Sequence, residues 1–292
     1  MKQWGLVLWV LLLPLLGLGE SLRVATYNLN NYLDVDRWVD GRYRKDYPKP
    51  ESEKTALREV IRGANPDVLA LQELGGPLHL EELRQDLKRE GLDYPYSEIV
   101  AGKDDTRFVG LLSKVPFDAT AHTNLSFKYF NERGYVRRGM LEARFGEGTN
   151  AWTLFVVHLK SRWTQRDDDP EAAKFRVGEA QAARNLIKKK YPPSIAHRYL
   201  VVGDLNDTKN SSTVKRFLKS GDSKLTELTE TPDSRGERWT FHYRSEDVYE
   251  RVDYILASPA LLPDVMGGAT YDAQPAIGVA SDHRLLYVDL KR

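Results

Sequence analysis

The feature of this sequence that most constrains its fold is a series of short apolar runs spread from one end to the other. The runs are rich in β-branched and aromatic residues, and they are too apolar to leave one face in water. They therefore predict strands in sheets that are covered on both sides by other layers. The runs are Leu22–Tyr27, Val68–Leu71, Phe108–Leu112, Trp152–Leu159, Tyr199–Val202, Val252–Leu256 and Leu285–Leu290.

Amphipathic helical patterns lie between these runs. Ser52–Ala64 carries an apolar stripe at helical spacing, and Glu171–Lys190 begins acidic and ends basic, which complements the helix dipole. Weaker patterns cover Leu78–Glu90 and Ser211–Leu218. Because strands and helices alternate without a long linker or an internal repeat, the sequence predicts a single α/β domain over residues 20–292.

The first 19 residues have the pattern of a cleavable signal peptide. Lys2 precedes an apolar stretch from Leu6 to Leu18, and Gly17 and Gly19 provide the small residues expected before a cleavage site. A membrane anchor is the alternative, but the stretch is shorter than the roughly 20 residues that a span needs. We therefore expect a secreted or periplasmic protein.

The charge balance and the lack of cysteine narrow the possible chemistry. The chain has 43 basic and 42 acidic residues and no cysteine. Disulfides, a thiol nucleophile and cysteine-ligated zinc are therefore excluded. A near-neutral chain has no overall field for polyanions, so any affinity for nucleic acid must come from local clusters of Lys and Arg.

Polar residues suited to metal or phosphate chemistry stand at the ends of the apolar runs. Asn28 and Asn30 follow the first run, and alternation along a strand would place both amides on one side. Glu73 follows the second run and could be the main ligand of a hard cation. His158 lies near the end of the fourth run and could donate to a phosphate oxygen. Taken singly, the two Asn residues also fit an ordinary turn, Glu73 a solvated acid, and His158 a buried structural histidine.

Three further boundaries add acids and an imidazole. Asp204 and Asn206 follow the fifth run, where they could orient a water molecule and hold a phosphate oxygen. Asp253 enters the sixth run, while Asp282 and His283 precede the last, so that Asp253 could orient the His283 imidazole. Adjacent Asp and His residues also occur on ordinary surfaces, so the series carries more weight than any single member.

Taken together, these segments resemble the endonuclease/exonuclease/phosphatase superfamily of DNase I-like, metal-dependent phosphoesterases, and bacterial extracellular nucleases above all. The resemblance covers essentially the whole chain after the signal peptide. It implies a four-layer α/β/β/α sandwich of two mixed sheets with flanking helices. The segments that carry it are Thr26–Asn30, Leu71–Glu73, Val109–Lys114, His158–Ser161, Arg176–Ala183, Gly203–Asn206, Val252–Leu256 and Ser281–His283.

The resemblance also implies roles for individual residues. Glu73 would be the main ligand of Mg²⁺ or Mn²⁺, and Asp282 would contact the metal directly or through water. Asn30 stands where many relatives carry a second acidic ligand, which puts a second ligand there in doubt. The remaining implied residues bind the phosphate, activate water or contact the substrate: Asn28, Arg107, His158, Arg176, Asp204, Asn206, Trp239, Asp253 and His283.

The substrate is less constrained than the chemistry. Three stretches interleave cations with aromatic residues, which favours a nucleic acid: Arg42–Tyr47, Tyr129–Arg138 and Arg238–Arg244. A phospholipid or sphingomyelin phosphodiesterase is the alternative, in which Phe127, Tyr129 and Phe130 would form a lipid-binding loop tip. An inositol-phosphate phosphatase also fits the shared core, and a non-catalytic binding module is least favoured. Asp167–Asp169 could bind a structural Ca²⁺, although a solvated acidic loop is the simpler interpretation.

Overall fold

The computed structural model of the chain describes residues 21–273 and 277–292, so the predicted signal peptide lies outside the described residues. The strands of this part, in chain order, are β1 (Ser21–Tyr32), β2 (Val35–Val39), β3 (Arg42–Tyr47), β4 (Val68–Leu74), β5 (Tyr96–Val100), β6 (Phe108–Ser113), β7 (Phe117–His122), β8 (Ser126–Tyr129), β9 (Glu132–Tyr135), β10 (Met140–Phe145), β11 (Trp152–His158), β12 (Tyr199–Asp204), β13 (Lys219–Ser220), β14 (Ser223–Lys224), β15 (Glu227–Leu228), β16 (Phe241–Tyr243), β17 (Val248–Glu250), β18 (Asp253–Ala257), β19 (Val265–Thr270) and β20 (Leu286–Lys291). The helices are α1 (Glu51–Ala64), α2 (Pro77–Arg89), α3 (Ala173–Lys190), α4 (Ser212–Leu218) and α5 (Ile277–Ala280), with short 3₁₀ turns at Gly148–Asn150, Pro170–Ala172 and Leu262–Asp264.

Two six-stranded mixed sheets organise the domain. The first has the order β19-β20-β1-β4-β6-β5 and the second β15-β18-β12-β11-β10-β7. Each contains one parallel pair, β1 with β4 and β11 with β12, flanked by antiparallel neighbours. The two sheets face each other across a buried apolar core that includes Val24, Leu154 and Val288.

Helices cover the outer face of each sheet. Side chains of α1 and α2 pack on the first sheet, and those of α3 and α4 on the second, so each outer face has its own apolar core. The fold is therefore an α/β/β/α sandwich, as the sequence predicts, and each central strand is covered on both sides. No helix in the described ranges is long and apolar enough to cross a membrane.

The bounds of α1 to α4 follow the predicted ones to within two residues, whereas the short α5 was not predicted. The largest difference is at α3, which begins at Ala173 instead of Glu171, because Glu171 and Ala172 have positive φ angles. Here the buried Asp169 carboxylate accepts the backbone N–H groups of Lys174 and Phe175, which would otherwise lack partners at the helix start. An amphipathic pattern does not reveal such a remote cap.

The topology brings the candidate residues to one edge of the sandwich. Parallel strands of one sheet end on the same side, and antiparallel neighbours begin there. Glu73 thus lies at the carboxyl end of the β1/β4 pair, and His158 faces Asp204 across the β11/β12 pair. Asp253 begins β18 opposite Asp204, and His283 precedes β20.

Candidate active site

The first sheet contributes Asn28 and Glu73 through an irregular ending of β1 and β4. Regular pairing stops after Asn28, and Asn30, Asn31 and Glu73 all have left-handed backbone conformations. The backbone N–H of Asn31 donates to Glu73 Oε2 at 2.8 Å, and the side chain of Asn28 lies 3.4 Å from Glu73 Oε1. This bulge interrupts the alternation from which a common direction for Asn28 and Asn30 was predicted.

The second sheet contributes His158 and Asp204 from adjacent strands. Their register requires glycine at position 203, because a Cβ there would lie 2.0 Å from the Val157 carbonyl oxygen. Gly203 also has φ +128°, which L side chains rarely adopt. The glycine therefore lets β12 run close enough to β11 for His158 Nε2 to approach Asp204 Oδ2 to 3.5 Å.

Asp204 is the centre of the site's hydrogen bonds. Its Oδ1 accepts the backbone N–H of Asn206 at 2.7 Å, and its Oδ2 accepts the side-chain amides of Asn28 and Asn206 at 3.0 and 3.1 Å. The Asn28 bond crosses from the first sheet to the second. Asn206 also donates to the carbonyl of Leu159, which ties the loops after β11 and β12 together.

The pKa of Asp204 is raised to about 7. Burial is the main cause, because it disfavours the charged carboxylate, and the nearby Asp253 adds a repulsive charge. The protonated state of Asp204 is therefore in balance with the ionised state near neutral pH. A carboxylate of that kind can accept a proton from water.

His283 forms a buried pair with Asp253. Its Nδ1 lies 2.8 Å from Asp253 Oδ2, and its Nε2 lies 4.0 Å from Asp204 Oδ2. Burial alone would lower the pKa of His283, but the charge and hydrogen bond of Asp253 and the charges of Asp204 and Asp282 raise it well above the usual value. The imidazolium form is thus stabilised, with Nε2 directed to the same space as Asp204.

His158 is in a different state. It is fully buried, and burial together with the positive charges of Arg138 and His283 holds its pKa well below the usual value. Its Nδ1 has no hydrogen-bond partner in the described part of the protein. His158 is therefore neutral at neutral pH, and its Nε2, 4.0 Å from Glu73 Oε1, faces the space between Glu73 and Asp204.

Two sets of side chains offer metal ligands. Among the described residues, Asp204, Asp253 and His283 form a buried group with ligand atoms within 4.8 Å of one another, and this group could bind a metal ion. Asp253 and His283 are already paired with each other, and Asp204 already accepts from Asn28 and Asn206. Glu73 is more accessible, and Asp282 accepts from Ser281 Oγ at 3.4 Å, while the side-chain oxygen of Asn30 accepts from Asn31 at 3.2 Å.

Four residues were predicted to bind substrate. Asn28 is hydrogen-bonded to Asp204, and the other three, Arg107, Arg176 and Trp239, have different surroundings. Arg107 lies beside the site and donates twice to Asn31 Oδ1, at 2.6 and 2.9 Å. Arg176 is only 2% exposed, and its guanidinium contacts Asp207, Lys160 O and Glu171 O, so it holds the site's loops in place. Trp239 stacks under the Arg284 guanidinium at 4.1 Å and donates to Glu237, so it does not line the site.

Two cavities flank the central cluster. The first, which we call the aromatic groove, has a volume of about 520 Å³ and is lined by Trp163, Phe241, Tyr243, Asn206 and His283, among others. Phe241 packs on the His283 ring at 4.8 Å between centroids. Trp163 was missed by the sequence analysis, whereas Phe241 and Tyr243 lie in one of the stretches that it singled out.

The second cavity, the cationic pocket, has a volume of about 490 Å³ and adjoins Glu73. Its basic residues are Arg107, Arg137, Arg138 and Lys160. The pKa of Lys160 is lowered to about 8 because of burial and the positive charges of Arg138 and Arg137. Arg137 and Arg138 end the second interleaved stretch, but no sequence signal placed them next to Arg107.

The acidic loop Asp167–Asp169 does not form a cation cage. Asp168 pairs with Arg166 at 2.9 Å, and Asp169 caps α3 and accepts the Tyr129 hydroxyl at 2.9 Å. Their carboxylates therefore serve separate partners. These contacts give no support to the structural Ca²⁺ that the sequence left as the less favoured interpretation of this loop.

Comparison with known proteins assigns the family. The model of the Endonuclease/Exonuclease/phosphatase family matches residues 25–283, so the chain belongs to that family of phosphoester hydrolases. No curated protein sequence matched the chain.

Solved structures share the fold at low identity. The human Nocturnin catalytic domain with bound sulfate is 18% identical, with 92% of this chain and 94% of that chain covered and a TM-score of 0.62. Sphingomyelinase C from Streptomyces griseocarneus is 16% identical, with 92% and 99% covered and a TM-score of 0.60. Truncated Caenorhabditis elegans TDP2 is 15% identical, with 94% and 98% covered and a TM-score of 0.60. These structures confirm the predicted fold, and the family match confirms the predicted superfamily, while the closer likeness to bacterial extracellular nucleases stays a prediction.

Proposed function

We propose that this protein is an exported, divalent-metal-dependent nuclease that hydrolyses the phosphodiester backbone of DNA or RNA. The observation that carries the proposal is the convergence of Asp204, His283 and His158 on one space beside Glu73. A carboxylate that titrates near neutral pH, an imidazolium and a neutral imidazole are the groups that hydrolysis of an anionic ester requires.

The residues divide the chemistry between them. Asp204 accepts the proton of the attacking water. Asn206 donates hydrogen bonds to the Asp204 carboxylate and holds it in one orientation. The bond from phosphorus to the leaving oxygen breaks as the new phosphorus–oxygen bond forms, and the leaving alkoxide takes up a proton from solvent. His283, kept protonated by Asp253, donates to a phosphoryl oxygen and stabilises the charge that develops there. His158 donates to a second oxygen through Nε2.

The donor set near Glu73 fits a hard divalent cation such as Mg²⁺ or Mn²⁺. Glu73 is a partly accessible carboxylate, and Asp282 and Asn30 offer further side-chain oxygens of the kind that such an ion prefers. Glu73 would hold the ion, with Asp282 contributing directly or through water and Asn30 as a neutral neighbour. When bound, the ion would neutralise charge on the phosphoryl group.

The surroundings of the site favour a nucleic acid over a lipid. Phe127 and Tyr129, expected at a lipid-binding tip, instead pack against Phe175 of α3 at 5.0 and 4.9 Å between ring centroids, and Tyr129 is buried. The aromatic groove beside His283 offers rings to a base. A phospholipid, sphingomyelin or inositol phosphate is the alternative substrate class on this fold.

Export is a separate part of the proposal. It is supported by the basic residue, apolar stretch and small residues in the first 19 positions. Expression with residues 1–19 intact, followed by N-terminal sequencing of the extracytoplasmic product, tests it directly. An intact N-terminus on a cytoplasmic product would overturn it.

Parallel hydrolysis assays test the substrate. Purified residues 20–292 are incubated with Mg²⁺ or Mn²⁺, or with EDTA, and with plasmid DNA, RNA, sphingomyelin vesicles or inositol phosphates. We expect metal-dependent cleavage of DNA or RNA and its loss in EDTA. Cleavage confined to vesicles or inositol phosphates would refute the nuclease proposal.

A further inference from the structure

We propose that the cationic pocket binds a second phosphate group of the substrate, separate from the phosphate that is cleaved. The inference rests on the proposed phosphodiesterase function and deepens it, because it specifies a substrate with at least two phosphates. The first observation is one of charge. In the part of the chain that the structure describes, Arg107, Arg137 and Lys160 have no carboxylate partner within ion-pair distance.

The remaining charges of the pocket do not neutralise these three. Arg138 is buried and paired with Asp104 at 3.0 Å, so its positive charge is neutralised within the protein. Glu73 contributes one negative charge, which the proposed metal ion would offset, and Glu179 lies fully buried behind the pocket, where burial raises the pKa of its carboxyl. Three cations therefore line a cavity of about 490 Å³ in a chain whose overall charge is only +1, and the Lys160 ammonium already donates to Ser161 and Trp163 oxygens at the edge of that cavity. A local excess of this kind is the electrostatic signature of an anion site.

The pocket is held together by buried polar contacts. Glu179 is fully buried, and its carboxylate accepts the backbone N–H of Arg137 at 2.9 Å and that of Lys160 at 2.6 Å. This one side chain joins the segment after β9 to the segment after β11. Arg107 is fixed on Asn31 Oδ1, and the backbone N–H of Asn31 donates to Glu73. The Arg107 guanidinium and the backbone that carries Arg137 and Lys160 are therefore held in place before any ligand binds, which lowers the entropic cost of binding.

The geometry separates this phosphate from the scissile one. His283 and Asn206 line the aromatic groove, whereas Arg107, Arg137 and Arg138 line the cationic pocket, and only Ser161 and Trp163 line both. The reacting phosphate, held by His158 and His283, therefore lies between a ring-lined cavity and a cation-lined cavity. A nucleotide unit that spans from one phosphate to the next fits this arrangement, and a substrate with a single phosphate leaves the cationic pocket unused.

Equilibrium binding in EDTA tests the inference without turnover. Thymidine 3′,5′-bisphosphate, thymidine 3′-monophosphate and thymidine 5′-monophosphate are titrated into residues 20–292 by calorimetry. We expect the bisphosphate to bind on the order of tenfold more tightly than either monophosphate, because the second phosphate gains charge-assisted hydrogen bonds. Equal affinities for all three nucleotides would overturn the inference.

Arg137 is the residue to change, because its side chain is exposed and its substitution leaves the core intact. Arg137→Gln should reduce the bisphosphate advantage to about twofold, and Arg137→Glu should abolish it. Arg133→Gln, an exposed change in β9 outside the pocket, is the matched control and should retain the full advantage. An advantage that survives Arg137→Glu would place the second phosphate elsewhere and refute the proposal.

The result is independent of the hydrolysis assay. If the bisphosphate binds more tightly than the monophosphates but DNA and RNA are not cleaved, the phosphate-binding role of the cationic pocket stands and the nuclease proposal is refuted. If DNA or RNA is cleaved but the three nucleotides bind equally tightly, the nuclease proposal stands and the phosphate-binding role of the cationic pocket is refuted.

Discussion

Replacing Asp253 by Asn should remove most of the turnover while leaving the fold in place. The change keeps the size of the side chain and the bond from the Asp253 backbone N–H to Thr240 Oγ1. It removes the negative charge that stabilises the His283 imidazolium across a 2.8 Å contact. The pKa of His283 should fall, and the imidazole should lose its fixed orientation.

The size of the effect follows from that contact. Two unit charges centred about 4 Å apart interact by about 4 kcal/mol at an effective dielectric constant of about 20. At about 1.4 kcal/mol per factor of ten, losing this interaction lowers the equilibrium constant for protonation of His283 by up to about 10³-fold, and kcat, which requires the imidazolium, should fall by up to the same factor. The fall should appear in kcat more than in KM, because the charge acts on the developing phosphoryl negative charge.

The assay is steady-state hydrolysis of bis(p-nitrophenyl) phosphate with Mg²⁺, with circular dichroism as a measure of folding. The chain supplies a matched control in Asp247→Asn, since Asp247 also faces a histidine, His242, at 3.3 Å but is 84% exposed. A solvated pair contributes little, so we expect less than about a twofold change. If folded Asp253→Asn keeps kcat within tenfold of the native value, the role given to the Asp253–His283 pair is wrong.

Two other predictions concern pH and stability. Because the pKa of Asp204 is raised to about 7 and its ionised form accepts the proton, kcat/KM should rise about tenfold per pH unit from pH 5 to 6 and level off above about 7; a profile that is flat over pH 5–8 would contradict this assignment. Arg58, buried between α1 and α2, contacts Glu51, Asp86 and Glu90, so Arg58→Met should lower the free energy of unfolding by about 2 kcal/mol. Arg62 is exposed and also contacts Glu90, so Arg62→Met should lower the free energy of unfolding by less than about 0.5 kcal/mol. Equal decreases for the two variants in urea titrations would show that burial of Arg58 does not matter.

The sandwich and the ends of its strands were predictable from the sequence because both depend on local pattern. Buried central strands are apolar over several residues, and the polar residue that follows marks where the strand leaves the core. Glu73, His158 and Asp204 were found in this way, and the structure brings them together. Their chemical roles stay predictions until they are tested by substitution.

The features that escaped the sequence depend on contacts between distant segments. The left-handed turns at Asn30, Asn31 and Glu73 are held by a hydrogen bond across 42 positions, which no local pattern reveals. For the same reason the cationic pocket, which joins Arg107 to Lys160, could not be assembled in advance. Trp239 was predicted to contact the substrate from the family resemblance, but Arg284 covers the Trp239 ring, and Phe241 is the ring that packs beside His283.

The hydrogen bond from Asn28 to Asp204 makes the activity of this protein sensitive to the packing between its two sheets. It links a residue of one sheet to the proposed base of the other, across the apolar core between them. The relative position of the two sheets therefore sets the relative position of Glu73 and Asp204. A substitution in the core between the sheets, far from any substrate, could shift one sheet along the other by a fraction of an ångström. Such a change would alter catalysis while the domain remained fully folded, so the interior of this sandwich is part of its catalytic alignment.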